Sequence, residues 1–167
     1  MRATLKNLKV NQRLSEETYC FSASLYIDGK RRGDVTNRGH GGPDDFSDRS
    51  AQHELDEWGK TQPPVEAFGM ELPVTAESIV GDLIGKEMLA RDRKTMTRKL
   101  LRKLKHPQCL VIIGIAVEER EVRATGERVV AGPGAMAPPI KRLANEGYTC
   151  IEVYAGASGH LLETVTP

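Results

Sequence analysis

Aromatic residues are scarce in this chain. Three Phe, one Trp and four Tyr make up only 5% of 167 residues. The core is therefore expected to be aliphatic. Cysteine is also sparse: Cys20, Cys109 and Cys150 are odd in number and far apart. No CxxC pair or Cys/His spacing is present, which argues against a zinc site and against a disulfide framework. They read as buried thiols in a reducing compartment. No segment approaches the roughly 20 consecutive apolar residues of a membrane-spanning helix, and "MRATLKNLKVNQRL" lacks the apolar stretch of a signal peptide. A soluble, cytoplasmic protein with no membrane partner is the expectation.

Catalytic signatures are missing too. There is no G-x-S-x-G element, and His40, His53, His106 and His160 are dispersed. "VVAGPGAMAPPIKR" lacks the Gly-Lys-Ser/Thr of a phosphate loop, and Pro138 and Pro139 remove N–H donors where an anion would need them. No enzyme activity and no cofactor are expected.

What the chain does have is segregated charge. The net charge of +1 conceals four blocks. Residues 1–43 carry 8 basic and 4 acidic residues, and residues 44–85 carry 2 and 10. Residues 86–106 carry 9 and 2, and residues 107–167 carry 5 and 7. The net values are +4, −8, +7 and −2. The acidic and basic blocks either fold against each other or face partners of opposite charge.

Periodicity supplies the elements. Thr4–Val10 alternates loosely, as a first strand would. In "TYCFSASLYI", Tyr19, Phe21, Ala23, Leu25 and Ile27 share one face, the period of a half-buried strand. Asp28-Gly29 follows at once, a dipeptide that tolerates positive φ at both turn positions, so Lys30–Asn37 is the return strand of a hairpin. Its charges suit an edge. A helix over 47–58, capped by Ser47, places Ala51, Leu55 and Trp58 on one face. Prolines 63, 64 and 73 mark residues 61–73 as a connector.

Helical spacing resumes at Thr75. Ile79, Val80, Leu83, Ile84 and Met88 form one apolar stripe, and Met96, Leu100 and Leu104 form another. A break near Arg91–Lys94 would make two helices within 75–105. "QCLVIIGIAVEE" reads as a central strand buried on both faces. "REVRATGERVV" reads as a hairpin turning at Thr125-Gly126. A loop carrying an exposed Met136, a short helix opened by Pro138-Pro139 and closed by Gly147, and a strand at 148–156 complete the chain.

The expected class is α+β, an antiparallel sheet built on hairpins and packed by two to three helices. Residues 1–167 form a single domain in this reading. Its parts are an N-terminal hairpin with a helical middle, 1–106, and a C-terminal strand, hairpin, helix and strand, 107–167.

Three surfaces carry candidate chemistry. "GHGGPDDF" could gather His40, Asp44 and Asp45, with Asp48 and His53, around a divalent ion for metal-dependent hydrolysis. The same glycines and Pro43 equally describe a turn. The basic stretch offers Arg98, Lys99, Arg102, Lys103 and Lys105 off the apolar stripe, a row suited to neutralising phosphates. No aromatic residue stands there to stack on bases. The acidic block offers Asp44, Asp45, Asp48, Asp56 and Glu57 beside Phe46 and Trp58, with Met70 further on. Carboxylates so dense can imitate a phosphate backbone around an apolar anchor.

"LSEETYCFSASLYIDGKRRGDVTNRGHGG", Leu14 to Gly42, resembles the N-terminal part of small uncharacterised phage and prophage proteins. There, S-E-E-T-x-C-F-x-A leads into a strand, then D-G-K, then G-H-G-G. "LPVTAESIVGDLI" followed by "RKLLRKLK" fits their acidic and then basic middle. The relatives often carry a polar or aromatic residue where this chain has Pro43. The resemblance implies a phage-type accessory protein that binds and inhibits or modulates a host protein, with host defence (anti-CRISPR-like) machinery that handles nucleic acid as the expected partner.

Overall fold

The computed structural model describes the chain apart from Phe68, Lys105, Pro107, Glu119, Arg120, residues 131–134 and Ala157. Its elements are helices and antiparallel strands, an α+β fold. Internal contacts divide it into two compact units, Met1–Lys86 and Glu87–Pro167. The division lies within a helix, not at residue 106. Among the described residues, no helix is long and apolar enough to cross a membrane.

In the first unit, strands β1 (Ala3–Val10), β2 (Cys20–Ile27), β3 (Lys30–Arg38) and β4 (Asp45–Phe46) form an antiparallel sheet in that order. Asp28 (φ 49°) and Gly29 (φ 80°) are the two turn residues between β2 and β3. This is the left-handed pair that the Asp-Gly dipeptide accommodates. Because β4 is only two residues long, β3 is open along most of its length.

Helix α1 (Arg49–Gly59) begins one residue later than expected. Its cap is Asp48, whose carboxylate accepts from the N–H groups of Ser50 and Ala51. Ser47 instead accepts from the Asp34 N–H at 2.7 Å, tying β3 to the helix start. Ala51 and Leu55 are fully buried, while Trp58 is only half-buried.

The expected connector contains a small hairpin, β5 (Val65–Ala67) and β6 (Met70–Leu72). Gly69 (φ 71°) helps reverse the chain, between prolines that bracket both ends.

Helix α2 (Ala76–Leu104) is unbroken for 29 residues. The expected break at 91–94 is absent. The start is well held: Thr75 and Ser78 cap each other, and Asp56 accepts from the Ala76 N–H at 2.7 Å. These bonds satisfy N–H groups that lack intrahelical partners. Ala76, Ile79, Val80 and Ile84 are buried at this end.

The second unit is a sheet in the order β10-β9-β7-β8, from β7 (Cys109–Glu118), β8 (Glu121–Val130), β9 (Cys150–Ala155) and β10 (Leu161–Val165). Helix α3 (Ala137–Asn145) links β8 to β9 and starts on the two prolines as expected. Strand β7 is central, with Val111, Ile112, Ile113, Ile115 and Ala116 at most 2% exposed.

Its alternate residues serve two faces. Ile112 and Ala116 pack with Leu143 of α3, Tyr148, Ile151 and Val153. Val111, Ile113 and Ile115 pack with Tyr154 and with Leu89, Leu100, Leu101 and Leu104 of α2. Apolar burial on both faces is what a continuous aliphatic strand needs.

Thr125 and Gly126 are not a turn. They lie inside β8, where Gly126 pairs with Ile113. A Cβ at Gly126 would sit 2.8 Å from Leu104 Cδ1, so the glycine admits the helix rather than reversing the chain. Met136 is not a free tip either, since it packs against the α3-side cluster.

Candidate nucleic-acid interface

The inward row of α2 is not uniformly apolar. Leu89, Leu100, Leu101 and Leu104 meet the sheet, but positions 93 and 97, on the same face by helical period, are Arg and Thr. Arg93 reaches β9. Its guanidinium donates to Glu152 Oε1 at 2.5 Å and to Cys150 Sγ at 3.1 Å. The Tyr154 hydroxyl donates to the other carboxylate oxygen at 2.6 Å. Cys150, Glu152 and Tyr154 alternate along one face of β9, so the first two meet the arginine and the third joins it through Glu152.

Glu152 is only 8% exposed. A carboxylate so placed is costly unless it is paired and hydrogen-bonded, and here both oxygens are engaged. Burial, together with the bond to Glu152, pushes the Tyr154 hydroxyl well above the usual phenol range. The phenol therefore remains a donor. Glu152 holds the Arg93 guanidinium above its ordinary range, so that charge is permanent.

Beside this network lies a cavity of about 450 Å³, lined by Ala90, Arg93, Lys94, Thr97, Arg98, Leu101, Glu152 and Tyr154. A second, of about 220 Å³, shares Arg98 and Leu101 with it. Its other walls include Arg102, Ser158 and Gly159 near the β9–β10 turn. The two cavities thus border one flank of α2.

That flank is basic. Lys94, Arg98 and Arg102 recur every fourth residue, about 6 Å apart along the axis, and Lys99 and Lys103 make a second row. All five are exposed, and none has an ion pair or hydrogen bond among the described residues. Residues 93–104 contain no acidic side chain. Four of the five expected phosphate ligands are therefore placed on one exposed surface, and Lys105 lies outside the described residues.

The expected acidic surface is largely engaged within its own unit. Asp48 caps α1 and pairs with Arg32, which also pairs with Glu54. The Ser50 hydroxyl first, then backbone N–H groups and Arg32, hold the Asp48 carboxyl below its usual range. Asp56 caps α2, and Glu57 pairs with Lys60 at 2.6 Å. Asp44 is half-buried and accepts from Asn37 at 2.8 Å. Burial lifts its carboxyl above the ordinary range, only partly offset by that bond. Asp45 is exposed. Phe46 is not the exposed anchor expected of it: it is 3% exposed, because its pairing with Val35 turns it into the core.

The glycine loop is held by its own chain. Asn37, 9% exposed, uses its whole amide. Oδ1 accepts from Thr18 and from the Gly39 N–H, and Nδ2 donates to Gly42 O and to Asp44. The N–H groups of Glu16, Glu17 and Thr18 point to the Gly39 carbonyl at 3.0–3.4 Å. A Cβ at Gly39 (φ 89°) would strike the Leu14 carbonyl. The S-E-E-T and G-H-G-G segments are therefore two halves of one knot.

His40 faces out and contacts Glu16 at 3.1 Å. Among the described residues, no three or more His, Cys, Asp or Glu side chains are grouped to hold a metal. His40, Asp44 and Asp45 are accordingly not brought together as ligands.

The sequence reading missed Arg93, Thr97, Glu152 and Tyr154. The available signals were polar residues at inward helical positions and a glutamate in the apolar run "CIEVYA". Compared with protein-family models, with curated proteins and with solved structures, the chain matches none.

Proposed function

We propose that the chain binds nucleic acid through the basic flank of α2 from Lys94 to Lys103. The observation that carries this reading is the set of five exposed cations that have no counter-charge among the described residues, beside a carboxylate that is already neutralised by Arg93. Like charges held this close repel one another until an anion arrives. A duplex presents one charge per about 1.7 Å of axis, and rows of cations along an unbroken helix match such a polymer better than a single small anion. The contacts are to phosphates, so sequence preference is expected to be weak.

Fluorescence anisotropy with duplex DNA, single strands and RNA across a salt series tests this. Binding should fall steeply with salt. The double variant Arg98→Ala/Arg102→Ala should reduce the log–log slope by about two units. Absence of binding to every polymer at low salt would end this reading.

A second reading is the one the N-terminal resemblance implies: a phage-type accessory protein that binds and inhibits or modulates a host protein. The β5–β6 hairpin favours it. Val65, Met70 and Leu72 are 51%, 58% and 40% exposed beside Glu66 and Glu71. Capture of a host protein that survives Arg98→Ala/Arg102→Ala and is lost in Met70→Asp would select this reading over the first.

A further inference from the structure

We infer that the chain pairs with a second copy of itself along β8, antiparallel and in the register centred on Thr125. This concerns assembly and stands apart from the nucleic-acid reading.

A sheet edge presents unpaired N–H and C=O groups, and folded proteins usually protect it. Three of the four edges here are protected. β1 carries Lys6 and Lys9, and its register is irregular between them. β4 is two residues long, and Ser47 beyond it takes the Asp34 N–H of β3. β10 has five residues and an irregular register. β8 has ten residues in unbroken register with β7, and no proline or lysine. Among the described residues, β7 is its one strand partner.

Alternation decides which groups β8 turns outward. The Gly156 N–H donates to Cys109 O at 3.0 Å, so odd-numbered residues of β7 face β9 and even-numbered ones face β8. The β8 partners of those even-numbered residues are odd-numbered. Val122, Ala124, Gly126, Arg128 and Val130 therefore turn N–H and C=O to the open edge. A two-fold antiparallel ladder must join those residues to one another, so its centre falls on a residue and not between two.

Charge selects the residue. Centring on Arg123, Glu127 or Arg128 sets that residue against its own mate, and centring on Ala124 sets Glu121 against Glu127. Centring on Gly126 opposes no two charges, and centres nearer either end leave few residues to pair. Centring on Thr125 sets Arg123 opposite Glu127 of the second copy, twice, with Thr125 against Thr125. Facing opposite charges and facing threonines stabilise a strand pair, whereas like charges destabilise it.

The side chains are placed for this register. Arg123 lies over the Tyr148 ring at 4.9 Å and Glu127 meets Arg142 of α3 at 2.5 Å, so both stand on the α3 face of the sheet. Arg123 is exposed, and Thr125 and Glu127 are partly exposed. Val122 exchanges backbone bonds with Arg128 of the second copy, and Ala124 with Gly126. The two sheets become one continuous sheet. A single strand pair buries less than a permanent dimer does, so association should be reversible, with Kd of roughly 1–100 µM.

Sedimentation velocity on the full chain from roughly 1 to 300 µM should show a monomer–dimer equilibrium. Arg128→Pro removes an N–H that points to the open edge, where proline is tolerated. It should weaken association roughly tenfold or more, while Arg128→Ala stays within about twofold of wild type. Arg123→Glu sets like charges opposite and should also weaken it roughly tenfold. The register has its own test. Thr125→Cys brings two thiols within disulfide reach on the axis, so mild oxidation should give a covalent dimer. Arg128→Cys puts its thiols roughly 20 Å apart and should give no more than wild type.

A monomer at every concentration overturns the proposal. So does a dimer that both Arg128→Pro and Arg123→Glu leave intact, since its interface lies elsewhere. Cross-linking of Arg128→Cys without cross-linking of Thr125→Cys overturns the register. If Arg128→Pro does not fold, Arg123→Glu and the two cysteine variants decide the matter.

Discussion

The two units handle charge in opposite ways. In Met1–Lys86, carboxylates of the acidic block hold the fold: Asp48 and Asp56 cap helices, and Glu54 and Glu57 neutralise Arg32 and Lys60. In Glu87–Pro167, one β9 carboxylate is buried and paired with Arg93 of α2, while five other cations of that helix are left to solvent. An acidic run and a basic run look symmetrical as strings of letters. They differ because a helix N-terminus accepts carboxylates, and two helix starts fall within or beside the acidic run. The basic run lies in the last turns of α2, where cations are tolerated by the dipole but only the final turn benefits.

The largest test of this contrast is charge reversal. Replacing Lys94, Arg98, Arg102 and Lys103 by Glu should cut nucleic-acid affinity more than 100-fold, on the order of the loss of four phosphate contacts. Thermal stability should change little, since exposed unpaired positions carry small effects. The matching reversal of Asp48 and Asp56 should do the converse, lowering stability and leaving affinity intact. A quadruple variant that failed to fold would show that the cations are structural after all.

Next in size is Glu152→Ala. It strands the Tyr154 hydroxyl and removes the counter-charge of Arg93, which is partly exposed. A loss of about 2–3 kcal/mol is expected, below the full cost of a wholly buried pair. Urea unfolding should report it, and a midpoint equal to wild type would mean that the network is incidental.

A smaller effect is expected from Asp48→Ala, a lowering of the melting temperature by a few degrees through loss of the α1 cap. Asp45→Ala, at an exposed position, should be silent. The Asp48 effect has a pH signature. Its folded pKa is depressed, so its stabilisation is present above the unfolded value near 3.8 and is lost as pH falls through the lower folded value. The difference between Asp48→Ala and wild type should therefore shrink in strong acid.

The smallest effect has the opposite sign. The Asp44 pKa is raised, so its contribution is favourable below about 3.8 and is lost as pH rises through the folded value. Asp44→Asn keeps an acceptor for Asn37 and removes the buried charge. It should raise the melting temperature slightly at neutral pH and leave it unchanged near pH 3. A fall at neutral pH would show that the charge itself is needed.

Much of the fold was legible from period alone. Alternation placed β2, the Asp-Gly pair placed its turn, and the aliphatic run placed β7 at the centre of a sheet. The misreadings share a cause. Gly126 looked like a turn because glycine usually marks one, yet here it makes room for Leu104. Arg91–Lys94 looked like a helix break because no apolar residue stood there. Arg93 is inward all the same, because a glutamate 59 residues away meets it. Phe46 looked exposed among aspartates until pairing with β3 turned it inward. Met96, counted in the apolar stripe, is 37% exposed, and its place on the inward row falls to Thr97.

The sequence by itself determined the class of fold, the β2–β3 hairpin with its turn, helices α1 and α3, strands β7 and β9, and the presence of an exposed basic row. These depend on periods of two and 3.6 and on short-range turn chemistry, which neighbouring residues settle among themselves. Tertiary structure alone decided which charges are engaged. It closed the S-E-E-T and G-H-G-G segments on one another, gave the acidic run to helix starts, and set Glu152 beneath Arg93 with Thr97 unpaired at its side. Those outcomes depend on contacts between residues far apart in the chain, and the worth of a charge depends on what surrounds it rather than on its place in the sequence.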